Sequence, residues 1–150
     1  MSLENKINEA VKAAMKEKNR VALDALRAVK AQILLQKTEG KGTELTEEQE
    51  VAILQRMVKQ RRDSAQQFSA QNREDLAEVE NAQIEVIEKF LPEQLSPEEL
   101  IAEIERIIAE TGAAGPQDLG KVMGVATKSL AGKSDGKSIS ETARRLLAAL

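Results

Sequence analysis

Phe90-Leu91-Pro92-Glu93-Gln94-Leu95-Ser96-Pro97-Glu98-Glu99 is the stretch on which the fold turns. It holds two of the chain's three prolines. The residue before a proline disfavours the helical region, so Leu91-Pro92 is expected to end the helix that precedes it. Ser96 then stands as a helix cap, Pro97 suits the first helical position, and Glu99 is placed to reach back to the cap. One helix stops and another starts across a short connector. We therefore place a domain boundary here, with residues 1–94 as an N-terminal helical domain and residues 95–150 as a smaller C-terminal one.

On both sides of this stretch the chain reads as helix. Strong helix formers dominate, and no stretch alternates with a period of two. Before the connector, Leu3, Ile7, Val11 and Ala14 fall at helical spacing. Asn19 is placed to cap a second helix lined by Ala22, Leu26, Val29 and Ile33. That helix should fail near Thr38, before the loop Gly40-Lys41-Gly42. Thr46 and Gln49 stand in capping-box relation at the start of a third helix, with Val51, Leu54, Val58, Ala65 and Phe68 facing inward. Asn72 reads as the cap of a fourth, carrying Leu76, Val79, Val86, Ile87 and Phe90.

Beyond the connector, Ile101, Ile104 and Ile108 form a stripe that Gly112 should terminate. Gly115-Pro116 opens a helix with Leu119, Val122, Met123, Ala126 and Leu130 on its apolar face. Ser138 and Glu141 read as a capping box for a last helix, with Leu146, Leu147 and Leu150 facing in. The fold class is all-α: an N-terminal four-helix group, then a smaller three-helix domain.

The inventory of side chains narrows the chemistry. The 150 residues contain no His, Cys, Trp or Tyr and two Phe. Imidazole and thiolate metal sites, disulfides, Ser–His relays and cysteine nucleophiles are excluded. A nucleic-acid partner would have to be held by charge and backbone shape, without stacking on Trp or Tyr. We expect no catalytic residue, no cofactor and no metal. The net charge of −3 is a sum over unlike segments: +3 for residues 1–40, −9 for 41–110 and +3 for 111–150. The N-terminal residues mix Glu with Lys and lack an apolar core, and no apolar run approaches a membrane span. The expectation is a soluble, cytoplasmic protein with no membrane partner.

Four features bear on function. Thr127-Lys-Ser-Leu-Ala-Gly-Lys-Ser134 ends like a phosphate-binding loop, but lacks its first glycine and has a helix before it, so a helix-terminating loop is the better reading. Gly120, Gly124 and Lys128 lie on one helix side with Lys121 beside them. Helical glycines cost roughly 1 kcal/mol each relative to Ala, so something should offset them. Either a ligand backbone such as a sugar–phosphate chain approaches closely, or a neighbouring helix does, and the second is the commoner use. Arg56, Lys59, Arg61 and Arg62 form a basic band on the third helix. Arg61 falls on the apolar stripe, so it should pair with a carboxylate from another helix or line a groove between the two groups. The acidic stretch from Glu74 to Glu110 reads as a solvated helical surface.

The ordered set Leu26-Arg27-Ala28-Val29-Lys30, Lys59-Gln60-Arg61-Arg62-Asp63-Ser64 with Phe68, Phe90-Leu91-Pro92-Glu93-Gln94-Leu95, Gly120-Lys121-Val122-Met123-Gly124 and Gly132-Lys133-Ser134-Asp135-Gly136 resembles the YqeY family along the whole chain. These are small bacterial proteins that share a domain with the tail of the GatB subunit of tRNA-dependent amidotransferases. The last part of this chain is similar to that tail. The resemblance implies an all-α fold and a link to tRNA, which the tail domain contacts while ATP-dependent amide transfer happens elsewhere in the complex. Any carbon–nitrogen ligase label with glutamine as amido donor would be inherited from the shared domain. We therefore expect a non-catalytic tRNA-interacting accessory protein, with Lys121, Lys128, Lys133, Lys137, Arg144 and Arg145 as contacts and Gly120, Gly124 and Gly132 at points of close approach. The alternative is a helical adaptor that docks on a tRNA synthetase or amidotransferase.

Overall fold

The computed structural model describes residues 2–40, 42 and 44–150. Among them there are seven α-helices, one short 3-10 turn and no strand. The chain divides into two compact units, Met1–Leu91 and Pro92–Leu150.

The first unit contains α1 (Leu3–Glu17), α2 (Arg20–Glu39), α3 (Glu47–Ala70) and α4 (Glu74–Glu88). α1 lies on α2, and α4 packs along α3 and against α2. Their apolar faces meet in one core that includes Ile7, Leu26, Val29, Ile33, Ile53, Leu54, Met57, Ile84 and Ile87. Each such side chain, once buried, contributes roughly 1.5–3 kcal/mol. The helix starts follow local chemistry. The Asn19 side chain accepts from the Ala22 N–H at 3.1 Å. Thr46 and Gln49 close a complete capping box. Lys41 of the expected glycine loop lies outside the described residues.

Asn72 does not cap α4. It ends α3 instead, with φ at 60°, in the left-handed region that Asn tolerates better than most side chains. The Arg73 N–H turns back to the Phe68 carbonyl at 2.8 Å and the Asn72 N–H to that of Ser69 at 3.1 Å, which satisfies two orphan carbonyls of the last turn. α4 then starts from Arg73 with no side-chain cap, and it ends at Glu88, three residues before Leu91. Val79, expected inward, is 45% exposed, while Ala77 and Ile84 take the core positions.

The second unit contains α5 (Pro97–Thr111), the 3-10 turn Pro116–Asp118, α6 (Leu119–Ser129) and α7 (Gly136–Ala148). Each of the three helices packs on the other two. Leu100, Ile104, Ile107, Val122, Ala126, Leu130, Ile139, Ala143 and Leu147 fill the space between them. Ser96 and Glu99 form the expected capping box, and Gly112 terminates α5 at φ 70°. The start of α7 differs from expectation. Asp135 is the cap, its carboxylate accepting from the Ser138 N–H at 2.7 Å. Gly136 adopts the first helical position, so the helix begins a turn earlier than the Ser138–Glu141 pair suggests. Leu150, expected inward, lies past the end of α7 and is 66% exposed.

Candidate functional site

α6 is positioned by the turn before it and the core beneath it. The Asp118 carboxylate accepts from the Ala114 N–H at 2.8 Å, which shapes the entry into the helix. Val122 and Ala126 are fully buried, and this fixes which way the helix faces. Gly120, Lys121, Gly124, Val125, Thr127 and Lys128 are thereby turned outward.

The two helical glycines do not serve internal packing. A Cβ placed on Gly120 or on Gly124 would meet nothing within 4 Å. This corrects the commoner expectation for such spacing, a neighbouring helix in close contact: α5 and α7 pack on the Val122–Ala126 side. The cost of the glycines therefore has no offset within the unit.

After α6 the chain turns through Leu130 and Ala131 into Gly132, which is buried with φ at 78°. The Lys133 N–H bonds the Leu130 carbonyl at 3.0 Å, and the Lys133 carbonyl accepts from the Leu95 N–H at 2.9 Å. The Gln94 side-chain amide donates to the carbonyls of Gly132 and of Pro92. Two motifs that stand apart in the sequence thus meet: the Pro92–Leu95 connector clamps the Gly132–Gly136 loop. In the sequence Gln94 stands only as part of the connector, and no local pattern points to its partner 38 residues on. Residues 127–134, the near match to a phosphate-binding loop, cover the end of α6 and this turn, with no strand before them.

Lys121 and Lys128 are exposed on α6, Lys133 on the loop, and Lys137, Arg144 and Arg145 on α7. Among the described residues none of the six makes an ion pair. Other charged groups of this unit make local contacts. Arg106 bonds Glu103 at 3.0 Å and Glu110 at 2.7 Å along α5, and these contacts hold its guanidinium above its ordinary value. The Ser96 backbone N–H holds the Glu99 carboxyl below the usual range. Near the ends of α5 and α7, Ile108, Ala113, Leu146 and Leu150 line an open apolar groove of about 560 Å³.

The basic band of α3 lies in the first unit. Arg61 gives its Nε–H to Gln83 Oε1 at 2.9 Å and an Nη1–H to the Met57 carbonyl at 3.3 Å. The expected carboxylate partner is not there. A half-buried guanidinium is satisfied instead by a neutral amide of α4 and a carbonyl of its own helix. Arg62 reaches Glu88 on α4 at 3.3 Å, and Lys59 pairs with Asp63 on α3 at 3.4 Å. Arg56 is exposed. Among the described residues no group of three or more carboxylates is arranged to hold a metal ion, and no helix is long and apolar enough to cross a membrane.

Among the described residues, seven helices in two small bundles define an all-α protein. The chain belongs to the YqeY family: the family model described as "Yqey-like protein" matches residues 4–147. It is also similar to fungal proteins named "Altered inheritance of mitochondria protein 41, mitochondrial". The relative from Pyrenophora tritici-repentis is 29% identical over 141 residues, covering 93% of this chain and 77% of its own length. The relative from Clavispora lusitaniae is 38% identical over 81 residues, 54% of this chain and 46% of that protein. The relative from Meyerozyma guilliermondii is 36% identical over 92 residues, 58% of this chain and 45% of that protein. The matches to the latter two span less than half of their length.

Proposed function

We propose that the protein is a non-catalytic accessory module that binds folded tRNA by shape, through phosphate and ribose contacts from its second unit. The observation that carries this reading is the outer face of α6. It bears two glycines with open space above them, beside Lys121 and Lys128. Exposed helical glycines permit a close approach that a side chain would block, and a sugar–phosphate backbone is a partner that gains from it. Lys133, Lys137, Arg144 and Arg145 extend the positive charge along the loop and α7. With no Trp or Tyr in the chain, binding rests on charge and shape, so it discriminates poorly between sequences and depends strongly on salt. The tie to tRNA-dependent amidotransferases rests on the resemblance of the last part of the chain to the GatB tail. The setting is cytoplasmic on the sequence reading, with the fungal relatives' name pointing to mitochondria for them.

The apolar groove beside Leu150 favours a second reading, a helical adaptor for a tRNA synthetase or amidotransferase. Titrating folded tRNA against the full chain at two salt concentrations separates the two. The RNA reading expects binding that weakens steeply with salt and is lost in the Lys121→Glu/Lys133→Glu/Arg144→Glu variant. Absence of binding at low salt removes it and leaves the adaptor.

A further inference from the structure

Five of the six cations on the proposed face ride on helices and take their backbone position from them: Lys121 and Lys128 on α6, and Lys137, Arg144 and Arg145 on α7. Lys133 stands on a loop, where nothing in the helical ladder holds it. The structure supplies that support from the other end of the unit. The Leu95 N–H fixes the Lys133 carbonyl, the Leu130 carbonyl fixes the Lys133 N–H, and the Gln94 amide holds the carbonyl of buried Gly132 next door. The Gln94 nitrogen also donates to the Pro92 carbonyl at 2.8 Å. Two carbonyl acceptors converge on one NH₂ group, which only an amide or a cationic side chain satisfies. Gly132 sits in a left-handed conformation with φ 78°, which glycine reaches without steric cost but which its own permissive backbone does not fix, so the contacts from Gln94 and Leu95 are what hold the turn.

We infer that Gln94 is a positioning residue for nucleic-acid binding: its amide pre-organises the Gly132–Lys133 turn so that the Lys133 ammonium meets a backbone phosphate without first ordering the loop. This rests on the tRNA reading above. Side-chain clamps of this kind act on affinity through one contact, so their signature is coupling to that contact rather than a general loss.

The experiment is a double-mutant cycle in the full chain, with folded tRNA as the probe and a salt series for each protein. Gln94→Glu keeps the shape but replaces both donors with an acceptor facing two carbonyls. It is expected to weaken binding about fivefold to tenfold, the scale of one charge-assisted contact partly lost. The slope of log affinity against log salt should fall by roughly one contact. In a Lys133→Gln background the same change should have no further effect. Gln94→Met, which lacks the repulsion, should show the same coupling, and it decides the matter if Gln94→Glu does not fold. Wild-type binding with a Lys133→Gln defect, but no effect of either Gln94 variant at unchanged thermal midpoint, overturns the inference and leaves the tRNA reading intact. Effects that add across the two sites also overturn it, since Gln94 would then act elsewhere. No tRNA binding by the wild-type chain removes the underlying reading itself.

Discussion

On α3, Arg61 is held by Gln83 and the Met57 carbonyl, Arg62 reaches Glu88, and Lys59 pairs with Asp63. On α6, α7 and the loop between them, Lys121, Lys128, Lys133, Lys137, Arg144 and Arg145 form no ion pair among the described residues. The first set is four cations within seven residues of one helix, and the second is six cations spread over residues 121–145. In the first, two arginines contact α4, so the charges help set how two helices of the bundle meet. In the second, the six side chains are exposed and tie no two helices of the unit together by an ion pair among the described residues. The glycines differ in the same way. Gly112 and Gly132 occupy left-handed positions that end helices, whereas Gly120 and Gly124 lie within a helix with nothing above them. Charge and glycine content alone do not separate the two regions; what separates them is that the second unit's cations form no ion pair among the described residues and its helical glycines have open space above them.

The comparison breaks most visibly at Arg61. Arg61→Met keeps much of the side-chain volume and removes both hydrogen bonds, leaving the half-buried Gln83 amide oxygen without its donor. Losing a hydrogen bond to a charged group costs about 1–3 kcal/mol, and the methionine's added packing offsets part of it. We expect a net loss of about 1–2 kcal/mol in denaturant unfolding, with tRNA binding unchanged. An unaltered unfolding midpoint would show that the α3 cations are as idle as those of the second unit.

Gly124→Ala is the matching change on the other side. The new methyl group meets nothing within 4 Å and the position is interior to α6, so stability should rise by about 0.5–1 kcal/mol. If the face receives a backbone, tRNA affinity should fall in the same variant. Stability and binding that move in opposite directions identify a surface kept open for a partner. A rise in both, or a fall in stability, would contradict the role assigned to the glycine.

Most of the fold was legible, because its signals are local. Thr46–Gln49 and Ser96–Glu99 are capping boxes in the sequence and in the structure, and Asn19 and Gly112 act where their chemistry places them. The errors arose where two local signals compete. Asn72 suits both a helix cap and a left-handed terminator, and only the path of the chain after α3 selects the second. At Asp135-Gly136-Lys137-Ser138 two cap residues lie three apart, and the earlier one starts the helix. The site was legible only in part. Spacing marks Gly120, Gly124 and Lys128, and the positive charge of residues 111–150 with the family resemblance marks the other cations, but whether Gly120 and Gly124 face a helix or open space depends on where α5 and α7 pack. The partner of Arg61 depends on the register of α4 along α3, which brings Gln83 to it and not a carboxylate. The Gln94 clamp joins residues 38 apart, beyond the reach of any local pattern.

The smallest expected effect also tests the comparison, since it asks whether a first-unit cation that ties separate elements together answers to pH. Lys37 on α2 bonds Glu4 of α1 at 2.7 Å and Glu44, just ahead of α3, at 3.3 Å. The hydrogen bond to Glu4, then that to Glu44, holds the Lys37 ammonium above its ordinary value, against a smaller opposing pull from burial. A raised value in the folded state means that folding favours the protonated form. The contribution is therefore fully present below the ordinary lysine value of about 10.4 and is lost as pH rises through the higher folded value. The difference in thermal midpoint between wild type and Lys37→Met should be constant across neutral and mildly alkaline pH and should narrow above about pH 10.4. Pairs near the surface are screened, so the difference should also shrink with added salt. If the difference stays constant through the alkaline range, the Lys37 contacts with Glu4 and Glu44 do not contribute to stability.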